Sequence, residues 1–144
     1  MKPEQIKVFL VDDHPILREG VRTYLTSNAI KVVGAAANGE EALRKVKKLA
    51  PDVVILDINL PGIDGGELAR RLRRLIPKTK LIAFSIHSSE AYFAKMNRCG
   101  VQGYVTKDQP TTALLSAIKH VFGGGRRFPQ GWAPARVSGA GVPR

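Results

Sequence analysis

The sequence predicts an α/β domain in which a five-stranded parallel sheet carries helices on both faces. Three observations point there. Strand-like apolar runs and segments with a helical apolar period succeed one another in strict alternation, five of each. The run DVVILD, residues 52–57, is apolar without a break between its acids, as a central strand covered on both faces must be. At 144 residues and 44% hydrophobic content, the chain has one domain's length and ample material for a core.

The elements follow in order. Ile6 to Val11 (IKVFLV) reads as the first strand. Pro15 stands near the first turn of the following helix, where a missing N–H costs nothing, and Leu17, Val21, Tyr24 and Leu25 form its apolar face. KVVGAAA is a second, weaker strand. Asn38 and Glu41, three apart, form a capping box that opens a helix with Leu43, Val46 and Leu49 inward. DVVILD is the third strand and INLPGIDGG a loop. The next helix puts Leu68, Leu72 and Leu75 on one face and Arg70, Arg71, Arg73 and Arg74 elsewhere. KLIAFS is the fourth strand, SEAYFAKMNRCG a helix ended by Gly100, and GYVTK the fifth strand. Pro110 opens the last helix, with Leu114, Leu115, Ile118 and Phe122 as its stripe. Parallel strands joined by right-handed crossovers suit the flavodoxin-like doubly wound order 2-1-3-4-5, whose ligands sit outside the carboxyl ends of strands 1 and 3.

Residues 1–122 are thus expected to form the domain. From residue 123 the pattern stops: GGGRRFPQGWAPARVSGAGVPR is rich in Gly and Pro without an apolar period, and reads as a flexible basic tail or truncated linker, 123–144. The net charge is +11, and all five charged residues after Asp108 are basic. Such a charge favours anionic partners but also describes ordinary solvated helix faces. No apolar run has the length of a membrane span, and the N-terminus is charged too soon for a signal peptide. The single cysteine, Cys99, excludes an internal disulfide, so a reduced, cytoplasmic setting is expected.

Chemistry gathers where the strands end. The first strand runs into Asp12 and Asp13, the third into Asp57, the fourth into Ser85 and the fifth into Lys107. In the order 2-1-3-4-5 these side chains emerge at one edge, with three carboxylates converging. Uncompensated, at least one would have to take up a proton. A bound Mg²⁺ answers this better, being a hard ion that prefers carboxylate oxygen. Asp57 can then attack a phosphoryl group as a nucleophile, with Mg²⁺ and Lys107 offsetting charge on the transferred oxygens and Ser85 donating a hydrogen bond. Taken singly, an Asp at a strand end is usually a turn former, and a Lys after a strand is usually solvated. The argument lies in all five falling at the expected strand ends.

VDDHP, VVILDINLPGIDG, LIAFS and GYVTK occur in the order and spacing of the bacterial response-regulator receiver domain, and the sequence resembles that family over roughly residues 5–122. The resemblance implies Asp57 as phosphoacceptor, Asp12 and Asp13 as the acidic pair of an Mg²⁺ site, and a metal contact from the backbone carbonyl of Asn59. It implies Ser85 as the switch hydroxyl, Lys107 as the family's lysine and Tyr104 as the switch aromatic, entering space that opens when Ser85 moves. DDHPILREG and the KD after the fifth strand look most like the NarL/FixJ subfamily, whose members usually carry a LuxR-type helix-turn-helix. The implied partner is a sensor histidine kinase. A homodimer is expected through the fourth helix, fifth strand and fifth helix, or through the first and fifth helices. DNA would be bound only through an output domain outside this chain, and no membrane is involved. Ile86, bulky where many receivers have a small residue, is expected to restrict access to the phosphoryl group. Asn59 and His87 flank the site, and His14 reads as a cap or loop residue.

Three rivals are weaker. A haloacid-dehalogenase-type phosphatase needs its nucleophile and a second Asp two residues apart after the first strand, whereas Asp12 and Asp13 are adjacent and Asp57 is followed two on by Asn59. A nucleic-acid-binding module would rest on the tail and on Arg70 to Arg74, without a recognition motif. A flavodoxin-type cofactor binder lacks a glycine-rich loop between strand and helix. The expected function is a phosphorylation-operated signalling switch, not a turnover enzyme.

Overall fold

The computed structural model describes residues 5–129 and 132–133, so the flexible tail expected at 130–131 and 134–144 lies outside the described residues. The strands are β1 (Lys7–Val11), β2 (Lys31–Ala36), β3 (Val53–Leu56), β4 (Lys80–Ser85) and β5 (Gly103–Thr106). The helices are α1 (Pro15–Ser27), α2 (Gly39–Leu49), α3 (Gly65–Leu75), α4 (Glu90–Arg98) and α5 (Thr111–Phe122). All strand pairs are parallel, as expected from the alternation, and the order is the expected flavodoxin-like β2-β1-β3-β4-β5.

Side-chain alternation along the strands divides the core in two. Phe9, Val11, Val54, Leu56, Leu81 and Ala83 point to the side where Val46 of α2, Leu68 and Leu72 of α3 and Met96 of α4 pack. Val8, Leu10, Val53, Ile55 and Ile82 point the other way, against Val21 and Leu25 of α1 and Leu114 and Ile118 of α5. Burial of each of the larger of these side chains stabilises the fold by about 1.5–3 kcal/mol, and the polar residues of the three central strands, Lys7, Lys80 and Ser85, stand at strand ends.

The local signals behave as their chemistry requires. Asn38 Oδ1 accepts from the Glu41 N–H at 2.8 Å, and Glu41 Oε1 reaches back to the Ala37 N–H at 2.8 Å. Asp64 caps α3 by accepting from Gly66 and Glu67. Gly65 sits so close to the loop after β3 that a Cβ there would lie 2.5 Å from the Ile58 Cα. The start of α3 is thereby seated directly on the loop that follows Asp57.

Two expectations need correction. Phe122 is not part of the buried stripe of α5: it is 47% exposed, and Val121 takes the inward place with Leu114, Ala117 and Ile118. The positions 114, 118 and 121 keep one helical face, and residue 122 rotates past its edge. The start of the segment expected to be a tail is also docked. After Gly124, at φ +98°, the chain turns back and Arg127 forms a parallel bridge with Gly103 on β5. A short stretch needs no period of its own when an unpaired strand edge offers it hydrogen bonds.

Candidate functional site

Register places the acids. Val11 pairs with Leu56, so the residues that follow them, Asp12 and Asp57, leave neighbouring strands at the same level. Their backbones are still held by the sheet: the Asp12 N–H donates to Ala36 O at 3.1 Å and the Asp57 N–H to Val11 O at 2.9 Å. The Lys107 N–H donates to Ser85 O at 2.8 Å, which fixes the lysine at the end of β5. From there its ammonium reaches across the sheet edge and donates to Asp12 Oδ2 at 3.0 Å and Asp57 Oδ2 at 3.1 Å. Both carboxylates are buried, Asp57 to 3% exposure. One ammonium thus compensates two buried anions, and removing it would leave buried charge unpaired.

The remaining acid contacts are short as well. The Asn59 N–H donates to Asp57 Oδ1 at 2.9 Å, and the His14 N–H to Asp12 Oδ1 at 2.9 Å. The His14 ring, at the N-cap of α1 but making no cap hydrogen bond, turns instead to the acids. Its Nδ1 lies 3.0 Å from Asp12 Oδ1, 3.2 Å from Asp13 Oδ1 and 4.0 Å from Asp57 Oδ2. Sequence reasoning put His14 at a cap or loop and missed this approach; its one signal was adjacency to the Asp pair.

Asp12, Asp13, His14 and Asp57 each offer a ligand atom within 4.8 Å of the others. Asp13 Oδ1 is buried without a hydrogen-bond partner, despite the nearby imidazole. An oxygen-rich donor set with one orphaned carboxylate oxygen fits a hard divalent cation.

The expected switch residues lie one step from the acids. Ser85 is fully buried, and its Oγ accepts from the His87 N–H at 3.1 Å. The Tyr104 hydroxyl donates to His87 O at 2.7 Å. The main chain of His87 therefore joins the two side chains, a role the sequence did not suggest. Its ring stacks on Tyr92 at 4.1 Å, and its Nε2 lies 2.8 Å from Asn59 Nδ2. Tyr104 is 1% exposed, with its ring edge-on to Phe93. Burial pushes its phenol up to about 12, opposed by the nearby Ser85 hydroxyl. Ile86 is 70% exposed beside the site.

A family model described as "Response regulator receiver domain" matches residues 8–119. "Response regulator GacA" of Pseudomonas syringae pv. syringae (strain B728a) is 38% identical over 122 residues, 84% of this chain and 57% of that protein. "Transcriptional regulatory protein DegU" of Brevibacillus brevis is 37% identical over 122 residues, 84% of this chain and 52% of that protein. The chain thus spans about half the length of the curated relatives it matches. Among solved structures, a two-component response regulator of the LuxR family from Aurantimonas sp. SI85-9A1 superposes with a TM-score of 0.83 at 35% identity, covering 86% of this chain and 89% of that one. The isolated REC domain of RcsB from Salmonella enterica serovar Typhimurium, in the presence of phosphomimetic BeF3-, gives 0.81 at 26% identity, covering 88% of this chain and 95% of that one.

Proposed function

Because the chain belongs to the response-regulator receiver family of two-component systems, we propose that Asp57 is its phosphoacceptor and that a histidine kinase is the donor. The observation that carries this reading is the Lys107 ammonium bridging the buried carboxylates of Asp12 and Asp57. It supplies a positive charge where a transferred phosphoryl group needs one.

In the proposed reaction an Asp57 carboxylate oxygen attacks phosphorus of a phosphohistidine. The new P–O bond forms as the P–N bond breaks, and the departing imidazole keeps the electron pair and takes a proton. Lys107 exchanges its contact with Asp57 Oδ2 for one with a phosphoryl oxygen, while the Asn59 N–H keeps the acceptor carboxylate oriented. Asp12, Asp13 and Asp57, with the backbone carbonyl of Asn59, would hold Mg²⁺, which when bound offsets charge on the transferred oxygens. Ser85 then donates to the phosphoryl group, and Tyr104 follows through the shared His87 main chain. Ile86, exposed next to Ser85, limits the approach of donors and of hydrolytic water.

The same reading makes the protein a signalling element whose only turnover is loss of its own phosphoryl group. Residues 1–122 act as the receiver, in a cytoplasmic setting; no helix of the described residues is long and apolar enough to cross a membrane. Pairing of two copies uses α1 with α5, where Ile16 is 91% exposed, rather than the face bordered by the docked Arg127. In a longer chain the receiver controls transcription through a DNA-binding output domain.

Intact mass after incubation with Mg²⁺ and acetyl phosphate tests the assignment. One Mg²⁺-dependent phosphoryl adduct is expected, absent from Asp57→Asn. An adduct that persists in that variant overturns the choice of Asp57.

A further inference from the structure

The docked stretch after α5 is not explained by phosphoryl chemistry. Gly124, at φ +98°, reverses the chain, and Gly125 passes so close to His120 that a Cβ would lie 2.4 Å from its Nε2. Arg127 then runs beside β5. Its N–H donates to Gln102 O at 3.0 Å, and its carbonyl accepts from the Tyr104 N–H at 2.8 Å. Side chains tie the same stretch to both flanking helices: Arg126 donates to Asn97 Oδ1 on α4, and Arg127 to Ser116 Oγ on α5.

Aromatic packing continues inward. Trp132 stands edge-on to Phe93 of α4 at 5.9 Å between ring centroids, and Phe93 stands edge-on to Tyr104 at 4.7 Å. Phe128 packs on Trp132 at 4.8 Å. The segment thus grips Tyr104 twice, through its backbone amide and through Phe93. It is seen docked with the Tyr104 ring in its buried position.

We propose that residues 126–129 and Trp132 form an intramolecular strap seated on the α4–β5–α5 face, whose docking is coupled through Phe93 to the buried position of Tyr104 and so to the phosphorylation of Asp57. This rests on the roles given above to Asp57, Ser85 and Tyr104. The occupant of the face is the chain's own segment, since its hydrogen bonds already close part of the β5 edge. Linkage makes the coupling reciprocal: a phosphoryl group that holds Tyr104 inward tightens the strap, and a seated strap strengthens binding at Asp57.

Trp132 is the only tryptophan of the chain, so its fluorescence reads the strap without labelling. The full chain is titrated with beryllofluoride and Mg²⁺, with binding of the phosphate mimic followed separately by ¹⁹F NMR. The expected result is a lower acrylamide quenching of Trp132 as the mimic binds, at protein concentrations where light scattering shows one copy. Arg127→Pro, at an exposed position, removes the N–H that Gln102 accepts and leaves the probe in place. In that variant Trp132 is expected to be readily quenched with or without the mimic, and mimic affinity to fall by about fivefold or more. Bound mimic with unchanged quenching in the wild type, or unchanged mimic affinity in Arg127→Pro, overturns the coupling alone. A quenching change that appears only as a dimer forms overturns the intramolecular seat in favour of a second copy. No bound mimic at all overturns the reading of Asp57, and the proposal with it.

Discussion

Asp13 keeps a side-chain oxygen buried with no hydrogen-bond partner, next to two further carboxylates that share one ammonium. Without a cation this residue works against the fold. Asp13→Asn is therefore expected to raise stability in metal-free buffer by about 1 kcal/mol, by removing one of three clustered negative charges, and to lose most of any stabilisation by Mg²⁺. Urea unfolding of both proteins with and without Mg²⁺ checks this. Tyr104 supplies a second residue-scale prediction. Its phenol is pushed from 10.0 up to about 12 by burial, so the unfolded chain gives up this proton before the folded one does. The contribution is fully present below pH 10 and is lost as pH rises from about 10 to about 12. Tyr104→Phe should consequently lose less stability than the wild type over that interval, measured by denaturant midpoints at a series of pH values.

At the scale of elements, the last helix separates pattern from packing. Leu114, Ile118 and Val121 are buried to about the level of the strands, whereas Phe122 is half exposed. Ile118→Ala is expected to cost about 2–5 kcal/mol, and Phe122→Ser about 1 kcal/mol. Thermal unfolding of the two variants distinguishes them easily. The start of α3 is a sharper case, because Gly65 leaves no room for a side chain above Ile58. Gly65→Ala forces that helix off the loop after β3, at about 1–3 kcal/mol. It should also slow adduct formation from acetyl phosphate, since that loop carries the Asn59 N–H that orients Asp57. An Ala variant with wild-type stability and rate would show that the loop is seated by other contacts.

The whole molecule adds what no element holds alone. Lys107 lies 95 residues from Asp12 and 50 from Asp57, and only the parallel sheet puts its ammonium between them. The same sheet ends at β5, whose outer edge is partly closed by Arg127. Deleting residues 126–144 is expected to expose that edge and speed hydrogen exchange at the Tyr104 amide, which donates to Arg127 O, with little change at the amides of β1 and β3. Hydrogen exchange resolved by residue tests this directly.

Sequence alone determined the alternation of elements, a parallel doubly wound sheet for which the flavodoxin-like order is a common solution, and the identity of the five chemical side chains at the strand ends. These are legible because each depends on local period or on position within an element, and VVIL followed by Asp57 carries both at once. Tertiary structure decided which groups meet. His14 could not be assigned to the acids from its neighbours, because the turn of its ring depends on the path of the chain into α1. Phe122 followed the apolar count of its helix and still faces outward, since the core ends one residue earlier. The Gly- and Pro-rich stretch has no period, yet Arg127 docks because the edge of β5 offers backbone partners that no local pattern in that stretch encodes. Periodicity reports how a segment buries itself, whereas pairing across a sheet edge depends on a surface built by residues distant in sequence.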